Sequence, residues 1–199
     1  MAVPIRTLTS EQRIWICSIY APVLQKERKA FFHVALPNCM KEMAEHMGDK
    51  DFIWVGMDAN AVMNIERDTQ LIKQGDEFRS GLKELDKGSI SFQEWVMDME
   101  LDDVWRNLHN NEFQSSKTRE LVSHRIRKRI DYILASPMTS QVIQNTEMVG
   151  ECNMGWISDH KVLVSDLVGL PMIKQIMKKI QQRHIYDPRS IQQHVIQIR

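Results

Sequence analysis

The segment Arg13-Ile14-Trp15-Ile16-Cys17-Ser18-Ile19-Tyr20 is β-branched and aromatic on both alternating faces and stops at Ala21-Pro22. A strand apolar on both sides must be covered on both sides, so it is expected in the interior of a sheet. Residues 1–12 read as a loose lead-in. Residues 24–47 place Phe32, Leu36, Met40, Ala44 and Met47 at helical spacing, with Pro37 expected to kink or split the helix. Phe52-Ile53-Trp54-Val55-Gly56 then reads as a second buried strand whose C-terminal end delivers Asp58 and Asn60.

Further along, 66–88 reads as a polar surface excursion with a short helix. Ser91 with Glu94 has the spacing of a capping box, and Phe92, Trp95, Val96 and Met99 follow at helical period. Leu101 to Trp105 turns back toward the sheet, and 112–123 contributes a strand and a turn. Residues 126–134 read as one strand, and 141–150 and 161–168 as two more. Pro171 is placed to start a last helix, and the final dozen residues read as a tail.

The chain is long enough for one domain, expected over 1–168, with a helical tail over 169–199. Its 26 basic and 26 acidic side chains balance, which excludes a surface that attracts nucleic acid as a whole. Cys17, Cys39 and Cys152 are odd in number and lack metal-ligand spacing, so reduced, mostly buried thiols are expected. No run is apolar enough to span a membrane, and Arg6, Glu11 and Arg13 interrupt any signal-peptide core. The expectation is a soluble, intracellular protein that is not secreted. Nothing points to an obligate protein partner.

Four segments could carry chemistry. Asp58-Ala59-Asn60 would present a carboxylate and a carboxamide to one ligand, suited to orienting water and bonding a phosphate; an Asx turn after a strand is the plain alternative. Ser158-Asp159-His160 could divide a hard cation and a phosphate between an acid and an imidazole, although alone it reads as a polar loop. Asp131, in Arg129-Ile130-Asp131-Tyr132, is an acid within an apolar strand and needs a partner, either His160 or a neighbouring arginine. Tyr20 could bond a phosphate oxygen or be an ordinary aromatic at a strand end. In the basic run 124–129, alternation would put Arg125, Arg127 and Arg129 on one side, able to follow a DNA backbone or to protect an edge strand.

Ser18-Ile19-Tyr20-Ala21-Pro22, Asp58-Ala59-Asn60, Arg129 to Leu134 and Ser158-Asp159-His160, in this order, resemble the endonuclease/exonuclease/phosphatase superfamily, the DNase I-like proteins. The match runs from about residue 13 to residue 168. Its texture is similar to the endonuclease domains of non-LTR retrotransposons, with Glu27-Arg28, Phe31-Phe32 and Asp102-x-x-Trp105-Arg106 as further points of likeness. The resemblance implies a four-layer α/β/β/α sandwich, a site at the top edge between two sheets, Mg²⁺ or Mn²⁺ as cofactor and DNA as substrate. That substrate would imply the nucleus. It also implies roles: Asp58 aligns or activates water, Asn60 and Tyr20 bind phosphate, Asp159 helps hold the metal, and His160, supported by Asp131, contacts the scissile phosphate.

Two departures stand out. Met57 occupies the place of a family glycine and is expected to displace Asp58 slightly. The family's opening β-α-β segment, with an asparagine and a metal-binding glutamate, has no counterpart in the dozen residues before the first strand; Glu11 is in the wrong context. The chain thus reads as a copy truncated at its N-terminus, with weaker metal affinity. The expected function is a DNA endonuclease; the alternatives are an inactive remnant that still binds DNA, or a small-molecule phosphatase of the same superfamily.

Overall fold

The computed structural model describes residues 2–6, 13–48, 51–73, 84–110, 112–120, 124–149 and 160–167. The chain begins with β1 (Ala2–Arg6), β2 (Arg13–Tyr20), α1 (Gln25–Ala30), α2 (Leu36–Ala44) and β3 (Phe52–Asp58). It continues through α3 (Ile65–Asp68), β4 (Thr69–Lys73), α4 (Lys87–Asp98), β5 (Asp102–Asp103) and α5 (Val104–Leu108). Last come β6 (Lys117–Glu120), β7 (His124–Lys128), β8 (Asp131–Ala135), α6 (Pro137–Ser140), β9 (Ile143–Val149) and β10 (Val162–Leu167).

Five strands form one sheet in the order β1-β2-β3-β8-β5; β9 pairs β10, and β4-β7-β6 make a third sheet. β2 lies between β1 and β3, the interior position its apolar faces require. Residues 2–6 are therefore a strand antiparallel to β2 and not a loose lead-in. Along β2, β3 and β8 the side chains alternate between two cores. Trp15, Cys17, Val55, Met57, Tyr132 and Leu134 pack on one face with Phe32, Leu36, Met40, Phe92 and Trp95 of the helices. Ile14, Trp54, Ile133 and Ala135 pack on the other face with Ile143 and Leu163 of the β9-β10 sheet. This is the helix–sheet–sheet layering of an α/β sandwich. On the helical face Phe32, Phe92, Trp95 and Tyr132 form an aromatic cluster, with Phe92 centred 5.1 Å from Phe32 and 4.9 Å from Tyr132.

Pro37 splits the α-helical run without ending the helix: a π-helical turn over Phe31–Ala35 separates α1 from α2, and Pro37 falls in the first turn of α2. Several expectations are corrected. Ser91 is not a helix cap. α4 starts four residues earlier, where Asp86 accepts from the Ser89 amide, and Ser91 Oγ donates to the Lys87 carbonyl within the helix. The stretch read as a surface excursion contains α3 and β4, the former capped by Asn64. Residues 126–134 are two strands in two sheets, because the Arg129 and Ile130 amides leave the ladder for the Asp68 carbonyl and Ser116 Oγ. Cys17 is buried, its thiol pushed up to about 11 by that burial, but Cys39 is exposed. Cys152 and the helix expected from Pro171 lie outside the described residues. Among the described residues, no helix is long and apolar enough to cross a membrane.

Candidate active site

Register brings the sequence-predicted residues to one end of the large sheet. Tyr20 pairs with Asp58 across the parallel β2–β3 ladder, and Asp58 pairs with Asp131 across the antiparallel β3–β8 ladder. Strand alternation turns Asp58 and Asp131 to the face that carries Trp54 and Ile133, toward the β9-β10 sheet. His160 precedes β10 on that side. Ligand atoms of Asp58, Asp131 and His160 all lie within 4.8 Å of one another.

Each member is held by neighbours. Asp131 Oδ2 is 2.8 Å from His160 Nδ1, and the Asp131 amide donates to Ser116 Oγ at 3.0 Å. Of the two partners open to Asp131, His160 is met here. The hydrogen bond to Asp131 raises the His160 pKa above the ordinary histidine value; burial and Lys117 oppose the shift, and the charges of Asp131 and Asp58 add to it. Asp58 Oδ1 accepts from the Asn60 amide at 3.0 Å, so the Asx turn and the candidate site are the same structure. Asn60 sits at φ 47°, a left-handed conformation that asparagine tolerates, and its Nδ2 donates to the Ala21 carbonyl at 2.9 Å. Met57 is buried in regular strand without positive φ, so no glycine conformation is required there. Tyr20 is exposed on the rim.

Arg129 departs from expectation. It is 1% exposed, and its guanidinium binds Asp103 at 2.6 and 3.1 Å and Asp68 at 2.9 Å. Burial alone would favour the neutral form, but Asp103 and Asp68 outweigh it and hold the group charged. Arg106 also reaches Asp68, at 2.7 Å. Arg129 is therefore a structural clasp that ties α3, β5 and α5 to the start of β8, and it is not open to a DNA backbone. Arg125 is exposed, and Arg127 lies over the Phe113 ring at 6.0 Å. Asp159 and Glu11 lie outside the described residues.

Sequence reasoning missed Lys117, whose Nζ is 3.0 Å from His160 Nε2, and Ser116, which bonds both the Ile130 and Asp131 amides. No pattern in Ser115-Ser116-Lys117 announces either. Asp103 had a visible signal, since it lies inside the Asp102 to Arg106 motif, one position from the acid that was singled out.

A hard divalent cation takes oxygen donors. Asp58 and Asp131 supply buried carboxylate oxygens side by side, which fits such a cation in donor type and charge. The His160 ring is a hydrogen-bonding partner of Asp131 and not one of those oxygen donors.

No family model and no curated protein sequence matches the chain. Solved structures do. The endonuclease domain of TRAS1, a telomere-specific non-LTR retrotransposon, superposes with a TM-score of 0.53 at 17% identity, covering 80% of this chain and 59% of that one. A 3′-5′ exonuclease from Neisseria meningitidis gives 0.52 at 16% identity over 76% of this chain and 59% of that one. An AP endonuclease from Archaeoglobus fulgidus gives 0.50 at 14% identity over 79% and 67%. The chain thus spans 59% of the length of the first two. Layering, register and these likenesses agree: the chain has the fold of the endonuclease/exonuclease/phosphatase superfamily, the DNase I-like fold.

Proposed function

We propose that this chain is a metal-dependent phosphodiester hydrolase acting on DNA, of retroelement-endonuclease type. The observation that carries the reading is the convergence of Asp58, Asp131 and His160, two buried acids and an imidazole, at the end of a sheet. The likeness to the TRAS1 endonuclease domain supports the retroelement type.

In this reading Asp58 orients and deprotonates the attacking water, its geometry fixed by the Asn60 turn. Asp131 fixes the His160 tautomer and supports its positive form, so that Nε2–H donates to the scissile phosphate as charge develops there. Asn60 and Tyr20 bind non-bridging oxygens. Asp159 would hold Mg²⁺ or Mn²⁺, with Asp58 and Asp131 as further oxygen donors. When bound, the ion polarises the phosphate as a Lewis acid. Arg125 and Arg127 follow the flanking DNA backbone. The substrate implies a nuclear location.

The test is incubation of the purified chain with supercoiled plasmid, with Mg²⁺ or with EDTA, alongside a soluble phosphomonoester. Metal-dependent nicking supports the reading. Salt-sensitive binding without nicking would leave a DNA-binding remnant, and hydrolysis of the phosphomonoester alone would leave a small-molecule phosphatase.

A further inference from the structure

We infer that Lys117 is a ligand of the substrate phosphate and acts jointly with His160. The inference rests on the phosphodiesterase reading above and names a residue that the sequence motifs do not contain.

His160 bonds Asp131 through Nδ1, so Nε2 is the nitrogen it can turn to a substrate, and Lys117 Nζ lies 3.0 Å from that atom. The amine therefore stands beside the ring nitrogen that faces the phosphate in the reading above. An ammonium has three donor directions, so the amine that reaches Nε2 keeps donors for a phosphate oxygen bound next to that ring atom. Such an oxygen would sit about 3 Å from Nζ.

The backbone holds Lys117 at this point. Lys117 and His160 form a β-bridge, the Lys161 amide donates to the Ser116 carbonyl at 2.7 Å, and the Ser116 amide donates to the Lys128 carbonyl at 2.9 Å. The adjacent Ser116 Oγ also accepts from the Asp131 amide. One short segment therefore fixes the lysine, the histidine and the acid that supports the histidine. A cation held where charge grows on the phosphate favours the transition state over the ground state.

The experiment compares wild type, Lys117→Met and Lys117→Arg in two assays: single-turnover plasmid cleavage with divalent metal, and binding of a fluorescent DNA duplex in EDTA over a salt series. Melting temperatures are measured alongside. In cleavage, Lys117→Met is expected to lower the single-turnover rate constant at saturating enzyme about 100-fold, and Lys117→Arg, which keeps the charge, to recover most of it. In EDTA, the slope of log affinity against log salt is expected to fall by about 0.9 in Lys117→Met, one phosphate contact fewer. Cleavage and slope both unchanged in Lys117→Met, with Asp58→Ala inactive, would overturn the Lys117 assignment and leave the phosphodiesterase reading intact. If wild type does not cleave, that reading fails, and an unchanged slope would still overturn Lys117 as a phosphate ligand. Equal losses in the Met and Arg variants at wild-type melting temperature would also overturn it.

Discussion

Asp131 Oδ2 and His160 Nδ1 are 2.8 Å apart, which couples β8 in one sheet to the residue that leads into β10 in the other. The bond raises the His160 pKa, so the imidazolium persists to higher pH than in an exposed histidine. The linkage has a definite sign. The bond's contribution to stability is fully present below the unfolded value of 6.5 and is lost as pH rises through the raised folded value.

Asp131→Asn should therefore bring the His160 pKa down, read by NMR titration of the ring. The alkaline limb of the cleavage profile should move to lower pH with it. Cleavage at neutral pH should fall by about 100-fold or more, because the tautomer and the charged ring are both lost.

Arg129 should behave as a structural residue. Arg129→Met leaves Asp68 and Asp103 buried without their main counter-charge, and the expected loss is about 3–5 kcal/mol in denaturant unfolding. A variant as stable as wild type would contradict the clasp.

Arg125 and Arg127 should behave in the opposite way. Replacing both with Ala is expected to weaken DNA binding and to lower the salt slope by up to about 0.9 per contact. Unfolding should change less than in Arg129→Met, since Arg125 is exposed and Arg127 is only half-buried, over the Phe113 ring. Anisotropy titrations and melting curves on the same sample read both effects.

Asn60 separates backbone from chemistry. Asn60→Gly accepts the 47° φ and Asn60→Ala does not, so the alanine variant should be about 1 kcal/mol less stable than the glycine variant. Both lose the carboxamide, so both should lose cleavage. Unfolding curves and plasmid assays check the two halves independently.

The legible parts of this molecule were those written in apolar alternation. β2 and β3 announce themselves because both faces must be buried, and their shared end locates Tyr20 and Asp58. The Asp131–His160 contact was open to sequence reasoning because an acid in an apolar strand needs a partner. β4 was illegible: Thr69-Gln70-Leu71-Ile72-Lys73 is short, and its position depends on pairing with β7. The break between β7 and β8 was hidden for a related reason. Arg129 looks like one more basic residue in a charged run, and only the distant Asp68 and Asp103 make it a core residue. Lys117 reaches His160 through a bridge between remote segments, which local spacing does not encode.

The most direct test of the central claim is a double-mutant cycle on single-turnover DNA cleavage with Asp131→Asn, His160→Ala and the pair together. If acid and imidazole work as one unit at the phosphate, the double variant should be no slower than His160→Ala alone. Losses that multiply, or an Asp131→Asn enzyme that cleaves at the wild-type rate, would contradict the account.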